Sequence, residues 1–535
     1  MATRTQNRSA SAIILASSTL GSKRAALLLV AISFHSPIQA MSIGAYAVGN
    51  HAECGAGNIP GTILELDKFF ASADLPSDYE RNFYWKDARV KQTDWAIASD
   101  YKASSGTTTG YDGADASLLT YIASHGVTSG GIYKALAGSR ANGGCYIPTT
   151  NLSLGDNVSR YTILSTCQGL KIGTGTNPTV AGENPSKTWK NSAKGLNCIL
   201  GYSNNMADAD QYGEYLLTNM KAGTSSLAKS FMDASESVSP DNIPAVLCYG
   251  SNQEEAANYI ATNADFDAES RANDASAWVY RVVKPLALNS DASKSSIPAA
   301  LQLTPRPLNV KRIANTFLGV GATKASSKGS TRYSSISGTV AYDSTLGVLT
   351  VSNNLIDEIR SYPVPNLVDS EAIARNALAI SGFEKIGGSL VLASTSEDVL
   401  GGEQGIQKVM SRKFTFKQIL AGNVSLSQQG SIEVSIGPGG VIESMTAALL
   451  DIEPSFKAPL RPTDLASRTE ELEATAIEHV AMKAPGANYR VIKTRVGYDT
   501  GNFHKVNHIA PAAIEITVEA AQGEFARNFV EKIAL

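Results

Sequence analysis

Two short apolar runs, 42 residues apart at their functional ends, constrain this chain more than any other feature. The first is LLTYIAS within Ser117–Gly126, running into His125-Gly126; the second is YTILST within Tyr161–Gly169, running into Cys167. Each has the length of a strand, and each ends in a side chain able to move a proton or attack a carbonyl. Strands buried on both faces of a parallel sheet read as continuous apolar runs. In open α/β sheets the ligand crevice lies at the carboxyl ends of the strands. Neighbouring strands of this kind would bring an imidazole and a thiol to the rim of one crevice, the minimum for cysteine nucleophilic catalysis.

The surrounding sequence fits that frame. Ile43–Val48 reads as a first strand, and Ile63, Leu64, Leu66, Phe69 and Phe70 form a helical stripe. A short helix and a polar loop around Cys145 are expected between the two central strands. Further buried runs follow at Asn197–Tyr202, Ile243–Tyr249 and Trp278–Val283, with helical segments between them. Strands alternating with helices predict a doubly wound, mostly parallel α/β domain over 41–283. Residues 284–311, with prolines at 285, 298, 305 and 307, read as a linker. The remainder, 312–535, reads as α+β. Helices at Asp369–Phe383 and Ser467–Met482 precede strand-like runs. Two of these runs, IEVSIGPGGVIES from Ile432 and IEITVEAAQGEFAR from Ile514, are alike enough to predict two degenerate helix-plus-antiparallel-strand repeats.

At 535 residues, with 43% hydrophobic residues, the chain can bury ordinary cores. A net charge of −3 leaves no basic surplus for nucleic acid. Arg4, Arg8, Lys23 and Arg24 precede the apolar Ala25–Ile32 and then Pro37–Ala40. These are the parts of a secretory signal over 1–40, predicting a secreted, periplasmic or cell-surface protein without an integral membrane segment. No CxxC spacing marks a structural zinc site among the five cysteines. Cys54 and Cys145, in polar surroundings, are expected to bridge, whereas Cys198 and Cys248, in apolar runs, read as buried thiols. His504 and His508 lack the carboxylate of an HExxH site, so neither metal nor cofactor is expected.

A strand ending in His-Gly followed by a strand ending in Cys resembles the caspase/gingipain-like cysteine peptidases. GLNCILGYSNNMADADQYGEYLLTNMKAGTSSLAKSFMDAS from Gly195 resembles the strand, acidic loop and long helix after the nucleophile in the CHAT and gingipain-like members. The AVLCYGS run resembles their next strand. Coverage is about residues 42–283, and the arrangement is also similar to bacterial secreted caspase-like domains. The resemblance implies His125 as general acid and base, Cys167 as nucleophile and Gly126 as backbone of an oxyanion hole. Members that cut after Arg or Lys often carry an acid two residues before the nucleophile. Ser165 stands there, so an acid for a basic substrate would come from Asp112, Asp115, Asp208 or Asp210. The C-terminal units resemble PepSY-type modules. The function implied is a secreted endopeptidase acting on protein or peptide substrates; the competing expectation is a non-catalytic binding protein on the same fold.

Overall fold

The protein is described here by a computed structural model covering residues 41–535, except 72–78, 96–112, 142–143, 173–185, 222–225, 240, 262–275, 287–295, 355–358, 360, 384–389, 403–404, 459, 463–464, 503–504 and 507. It is mixed α/β, mostly strands, with seven helices among the described residues. The signal expected over 1–40 lies outside them.

The N-terminal half is built on one sheet. β1 (Met41–Ala47) pairs in parallel with β2 (Tyr79–Lys86) on one side and with β3 (Leu119–Ala123) on the other. β3 pairs in parallel with β7 (Tyr161–Ser165), and β7 with β8 (Cys198–Tyr202). β9 (Pro244–Gly250) and β10 (Ala277–Pro285) then add antiparallel, so the order is β2-β1-β3-β7-β8-β9-β10. β3, β7, β8 and β9 are buried at every position, which is why their sequences are unbroken apolar runs.

One face of this sheet packs on α1 (Gly61–Ala71), α2 (Gln211–Lys221), α3 (Leu227–Val238) and α4 (Gln253–Ala261), through residues such as Leu66, Phe69, Leu216, Phe231 and Ile260. The other face is covered differently. The helix expected between the two central strands is replaced by a three-stranded antiparallel sheet, β4 (Gly126–Ser129), β5 (Ile132–Ala141) and β6 (Gly144–Pro148). Tyr133, Ala135 and Ile147 of this small sheet join Trp95 and Trp189 in the second core. The reason is local: β4 and β5 are joined at Gly130-Gly131, both at positive φ, a turn that reverses a strand more readily than it opens a helix. Among the described residues, then, helices line one face of the main sheet and not both.

The expected linker also differs. Ser296–Pro298 and Ala300–Pro305 are strands, pairing with Leu460–Pro462 and with Leu450–Ile452 and Gln302–Ala300 against Ile509–Pro511. Their prolines sit at strand ends, where a missing N–H costs little. β10 itself pairs along its length with Leu390–Gly402, carrying the sheet into the C-terminal half. There the two similar segments both form antiparallel hairpins, Ser431–Ile436 with Ile442–Ala448 and Ile509–Gln522 with Phe525–Ala534. Among the described residues no helix is long and apolar enough to cross a membrane.

Two disulfides are present. Cys54–Cys145 joins the loop after β1 to β6, with a Cα separation of 5.8 Å. Cys198–Cys248 corrects the expectation of two buried thiols. The two residues face each other across the antiparallel pair β8–β9, a register that apolar runs taken singly do not reveal. Cys167 is therefore the only free thiol of the five.

Candidate functional site

The parallel register of β3 and β7 aligns Ala123 with Ser165. His125 and Cys167 each follow by two residues, so the ladder delivers both to the same level beyond the sheet. Gly126 permits this close approach. A Cβ there would meet the Cys167 carbonyl at 2.6 Å and Thr166 Cβ at 2.8 Å, so only glycine lets the two chains touch.

His125 is fixed from several sides. Its carbonyl accepts from Leu136 N–H at 3.1 Å, and the Ser124 hydroxyl donates to the Leu136 carbonyl at 2.5 Å. The ring's Nε2 lies 2.7 Å from the Gly57 carbonyl. A carbonyl can only accept, so Nε2 carries the hydrogen and Nδ1 carries the lone pair. Nδ1 is buried and has no hydrogen-bond partner among the described residues. The His51 ring lies 4.8 Å away, centroid to centroid. Burial, then the neighbouring His51, pushes the His125 pKa well down, and burial takes His51 to about 4. Both rings are neutral. The loop bearing Gly57 and His51 is tied down by the Cys54–Cys145 bridge and by Asp87, whose Oδ1 accepts from Gly49 and Asn50 N–H at 2.8 Å each.

Cys167 is fully buried, and the backbone beyond it is clamped. Gln168 has φ +58°, a left-handed conformation that costs a non-glycine residue about 1 kcal/mol. Its N–H donates to Asn204 O at 3.0 Å, its amide to Asn205 Oδ1 at 2.9 Å, and its carbonyl accepts from the Thr128 hydroxyl at 2.6 Å. Burial raises the thiol pKa, and the Arg527 guanidinium pulls against that rise.

Arg527 comes from the last strand of the chain, 360 positions beyond Cys167. It is wholly buried, with Nη1 donating to Ser124 O at 3.2 Å and to Ser165 O at 3.4 Å, the carbonyls immediately beyond β3 and at the end of β7. Nη2 lies 3.7 Å from Asp208 Oδ1. Its Nε and Nη2 have no hydrogen-bond partner among the described residues. Glu65 of α1 completes the pocket. It accepts from Tyr121 OH at 2.5 Å, and burial takes its pKa up to about 7. Burial likewise raises Asp208.

The acids singled out from sequence thus part company. Asp208 lies in the pocket. Asp210 faces outward and pairs with Lys68 at 2.8 Å. Asp115 is spent on the loop before β7, accepting N–H bonds from Gly155, Asn157 and Ser159 at 2.9, 2.7 and 2.8 Å. Asp112 lies outside the described residues. Ser165 ends β7, its hydroxyl 3.8 Å from Met206 Sδ. Glu65 and Arg527 were missed. Both carried a signal: Glu65 falls on the buried Thr62-Glu65-Leu66-Phe69 face of α1, and Arg527 falls between Phe525 and Phe529 on the buried face of its strand.

Residues 48–282, which contain His125 and Cys167, match a sequence family described as a domain of unknown function, DUF6345. No curated protein matches the chain. Among solved structures, an uncharacterized protein from Eubacterium rectale is similar at 9% identity and a TM-score of 0.30, over 45% of this chain and 87% of that one.

Proposed function

We propose that residues 41–283 form an exported cysteine endopeptidase of the caspase/gingipain type, with Cys167 as nucleophile and His125 as general acid and base. The observation that carries this reading is the anchored tautomer of His125. Gly57 holds the hydrogen on Nε2 and leaves on Nδ1 a lone pair without a partner among the described residues, two residues beyond the strand end that pairs with the one leading to the free thiol Cys167. Both groups are neutral, so the proton moves as the attack occurs. His125 Nδ1 takes the thiol proton while Sγ bonds to the peptide carbonyl carbon, whose oxygen becomes the oxyanion. Backbone N–H groups around Gly126 are the donors for that charge, each worth roughly 3 kcal/mol. Collapse breaks the C–N bond as His125 protonates the leaving amine, and water then hydrolyses the thioester. The two disulfides support an oxidising compartment.

A second reading, a non-catalytic binding protein on this fold, is favoured by one observation: Arg527 already fills the space beside Cys167. Turnover of a peptide library decides between them. It should be measured for the natural chain, for Arg527→Ala, and for Cys167→Ala and His125→Ala in both backgrounds. The peptidase reading expects cleavage that vanishes with Cys167→Ala and falls at least about a hundredfold with His125→Ala. Thermal unfolding should show all variants folded. Full activity in Cys167→Ala, or no cleavage in either parent, would sink it.

A further inference from the structure

The sheet of the C-terminal half has two unlike faces. Six of its strands are neighbours in the order Thr323–Ser327, Ser330–Ser335, Gly338–Asp343, Val348–Asn353, Ile442–Ala448 and Ser431–Ile436. On one face Tyr333, Val340, Val351 and Met445 stand opposite one another, buried in the core shared with helices Val310–Leu318 and Leu367–Ser381. One position along each strand the side chains turn to the other face. There Thr323, Ser334, Thr339, Ser352, Ser444 and Ser435 stand directly opposite one another, one hydroxyl from every strand. Neighbouring strands lie about 4.8 Å apart, so the row is about 24 Å long. Thr323 and Ser352 are exposed and the other four half-buried. The adjoining row, Ala325, Arg332, Ala341, Thr350 and Thr446, is small-sided except at Arg332.

The hydroxyl row runs inward to a cavity. Lys413 stands opposite Ser435, and Ser396 stands opposite Lys413. Here α3 lies over the sheet, leaving a space of about 230 Å³ between them. Ser396, Ser435, Ser444 and Thr446 bring four hydroxyls to its wall, none with a hydrogen-bond partner among the described residues. Met232 of α3 and Ile260 of α4 give it an apolar side. Its charges are already matched. Arg281 grips Asp398 through bonds of 2.5 and 2.6 Å, Lys229 holds Asp233 at 2.7 Å, and Lys413 reaches Glu433 at 3.3 Å.

That matching selects the ligand. Loosely held charges suit a charged or reacting partner, whereas a charged ligand here would have to separate an existing pair. A neutral polyol separates none. Each of its hydroxyls donates and accepts, so it meets the serine and threonine oxygens, the spare carboxylate lone pairs and the spare ammonium hydrogens alike. Its C–H faces suit Met232 and Ile260. A cavity of about 150 Å³ holds benzene, so this one has room for a six-membered ring bearing hydroxyls. The exposed row outside it is far longer than one such ring.

We propose that the cavity and the hydroxyl row form a binding site for a neutral polysaccharide, with one sugar in the cavity and the following units along the row towards Thr323. The site belongs to the C-terminal half and goes beyond the reading of Cys167 and His125, on which it does not depend. It gives an exported chain a hold on a glycan.

Native electrophoresis of the full chain through gels containing dextran, laminarin, xylan or galactomannan tests this, with polygalacturonate and chitosan as charged controls. At least one neutral polymer should retard the chain. Retardation by none, or by a charged polymer only, would overturn the proposal. Ser435→Ala, Ser444→Ala and Thr446→Val together keep every ion pair and should weaken binding at least about tenfold by titration calorimetry. Thr323→Ala with Thr339→Ala, at the outer end of the row, should weaken binding of the polymer and not of its free monosaccharide. Thermal unfolding checks each variant. Should the cavity triple fail to fold, the outer pair still decides, and unchanged polymer binding in either folded variant would overturn the proposal. Four of the five cysteines are bridged, so iodoacetamide under non-reducing conditions labels Cys167 alone. That labelling should be indifferent to the polymer. Protection of Cys167 would place the polymer at the crevice and overturn the assignment, whereas binding without any peptide cleavage would uphold it and count against the peptidase reading alone.

Discussion

The chain buries two clusters of charge where its N-terminal half meets its C-terminal half, and it treats them in opposite ways. In the first, Arg281 of β10 forms a two-pronged pair with Asp398 at 2.5 and 2.6 Å, and Ser411 donates to the same carboxylate at 2.8 Å. Lys229 holds Asp233 at 2.7 Å and reaches Glu433 at 3.5 Å, while Lys413 reaches Glu433 at 3.3 Å. These groups line a cavity of about 230 Å³. Burial works against the charge on Glu433, yet Lys229 and Lys413 hold its carboxyl well below the usual range. In the second cluster burial prevails. Glu65 and Asp208 are pushed up despite the guanidinium beside them, because Arg527 meets neither closely. Close pairing fixes charged forms and ties α3 to the sheet that continues from β10 into the C-terminal half. Loose pairing leaves groups that can change partner or protonation, the pattern expected where something binds.

The largest break in this comparison should come from the well-paired cluster. Glu433→Ala leaves Lys229 and Lys413 without their shared carboxylate. With Lys229 about a third exposed, a cost of about 2–4 kcal/mol is expected. Denaturant unfolding of the full chain checks it, and a loss below about 1 kcal/mol would mean that the pairing does not hold the halves together. Labelling of Cys167 in the folded variant should stay as in the natural chain.

A pH series sharpens the other side. Glu65 rises to about 7 in the folded chain, from the ordinary carboxyl range near 4.5. The folded state therefore binds more protons than the unfolded state between those values. Stability associated with Glu65 is fully present below about 4.5 and is lost as pH rises through 7, by up to roughly 3 kcal/mol. Glu65→Gln keeps a polar partner for Tyr121 and removes the titration. The natural chain should lose more stability than this variant from pH 4.5 to 7.5. Parallel curves would show that Glu65 does not titrate in that window.

What could be read in advance follows from how far each signal reaches. The apolar runs leading to His125 and Cys167 are local patterns, and the polar sequence around Cys54 and Cys145 marks both as bridge partners, although Cys145 itself lies on β6. Cys198 and Cys248 looked inert because a run of apolar residues specifies burial and not the partner across the ladder. The β4-β5-β6 sheet departs from the helical expectation because Gly130-Gly131, both at positive φ, form a hairpin turn there. Arg527 is the instructive miss. The C-terminal half carries none of the five cysteines, and the charge it brings beside Cys167 is one arginine on a strand face shared with Phe525 and Phe529. Alternation along FARNFV places Arg527 inward with Phe525 and Phe529, but no local pattern says what an inward arginine meets 360 positions away.

The smallest expected effect tests the comparison at its finest grain, within one loop. Asp208 and Asp210 are two residues apart before α2 and were indistinguishable as pocket acids in the sequence. Asp208 turns inward, where Gly61 N–H donates to it at 3.2 Å and Arg527 approaches. Asp210 turns out to meet Lys68, with both side chains partly exposed. Solvent screens the outer pair, so Asp210→Asn should change stability by less than about 1 kcal/mol and leave the labelling of Cys167 unaltered. Asp208→Asn keeps the acceptor for Gly61 but removes one of the two acids facing Arg527. With that negative charge gone, Glu65 ionises at lower pH, and the stability curve between 4.5 and 7 should flatten. Measuring the pH series for both variants separates pocket from surface. If Asp210→Asn flattens the curve as much as Asp208→Asn does, the outer acid belongs to the cluster and the boundary between buried and screened charge drawn here is wrong.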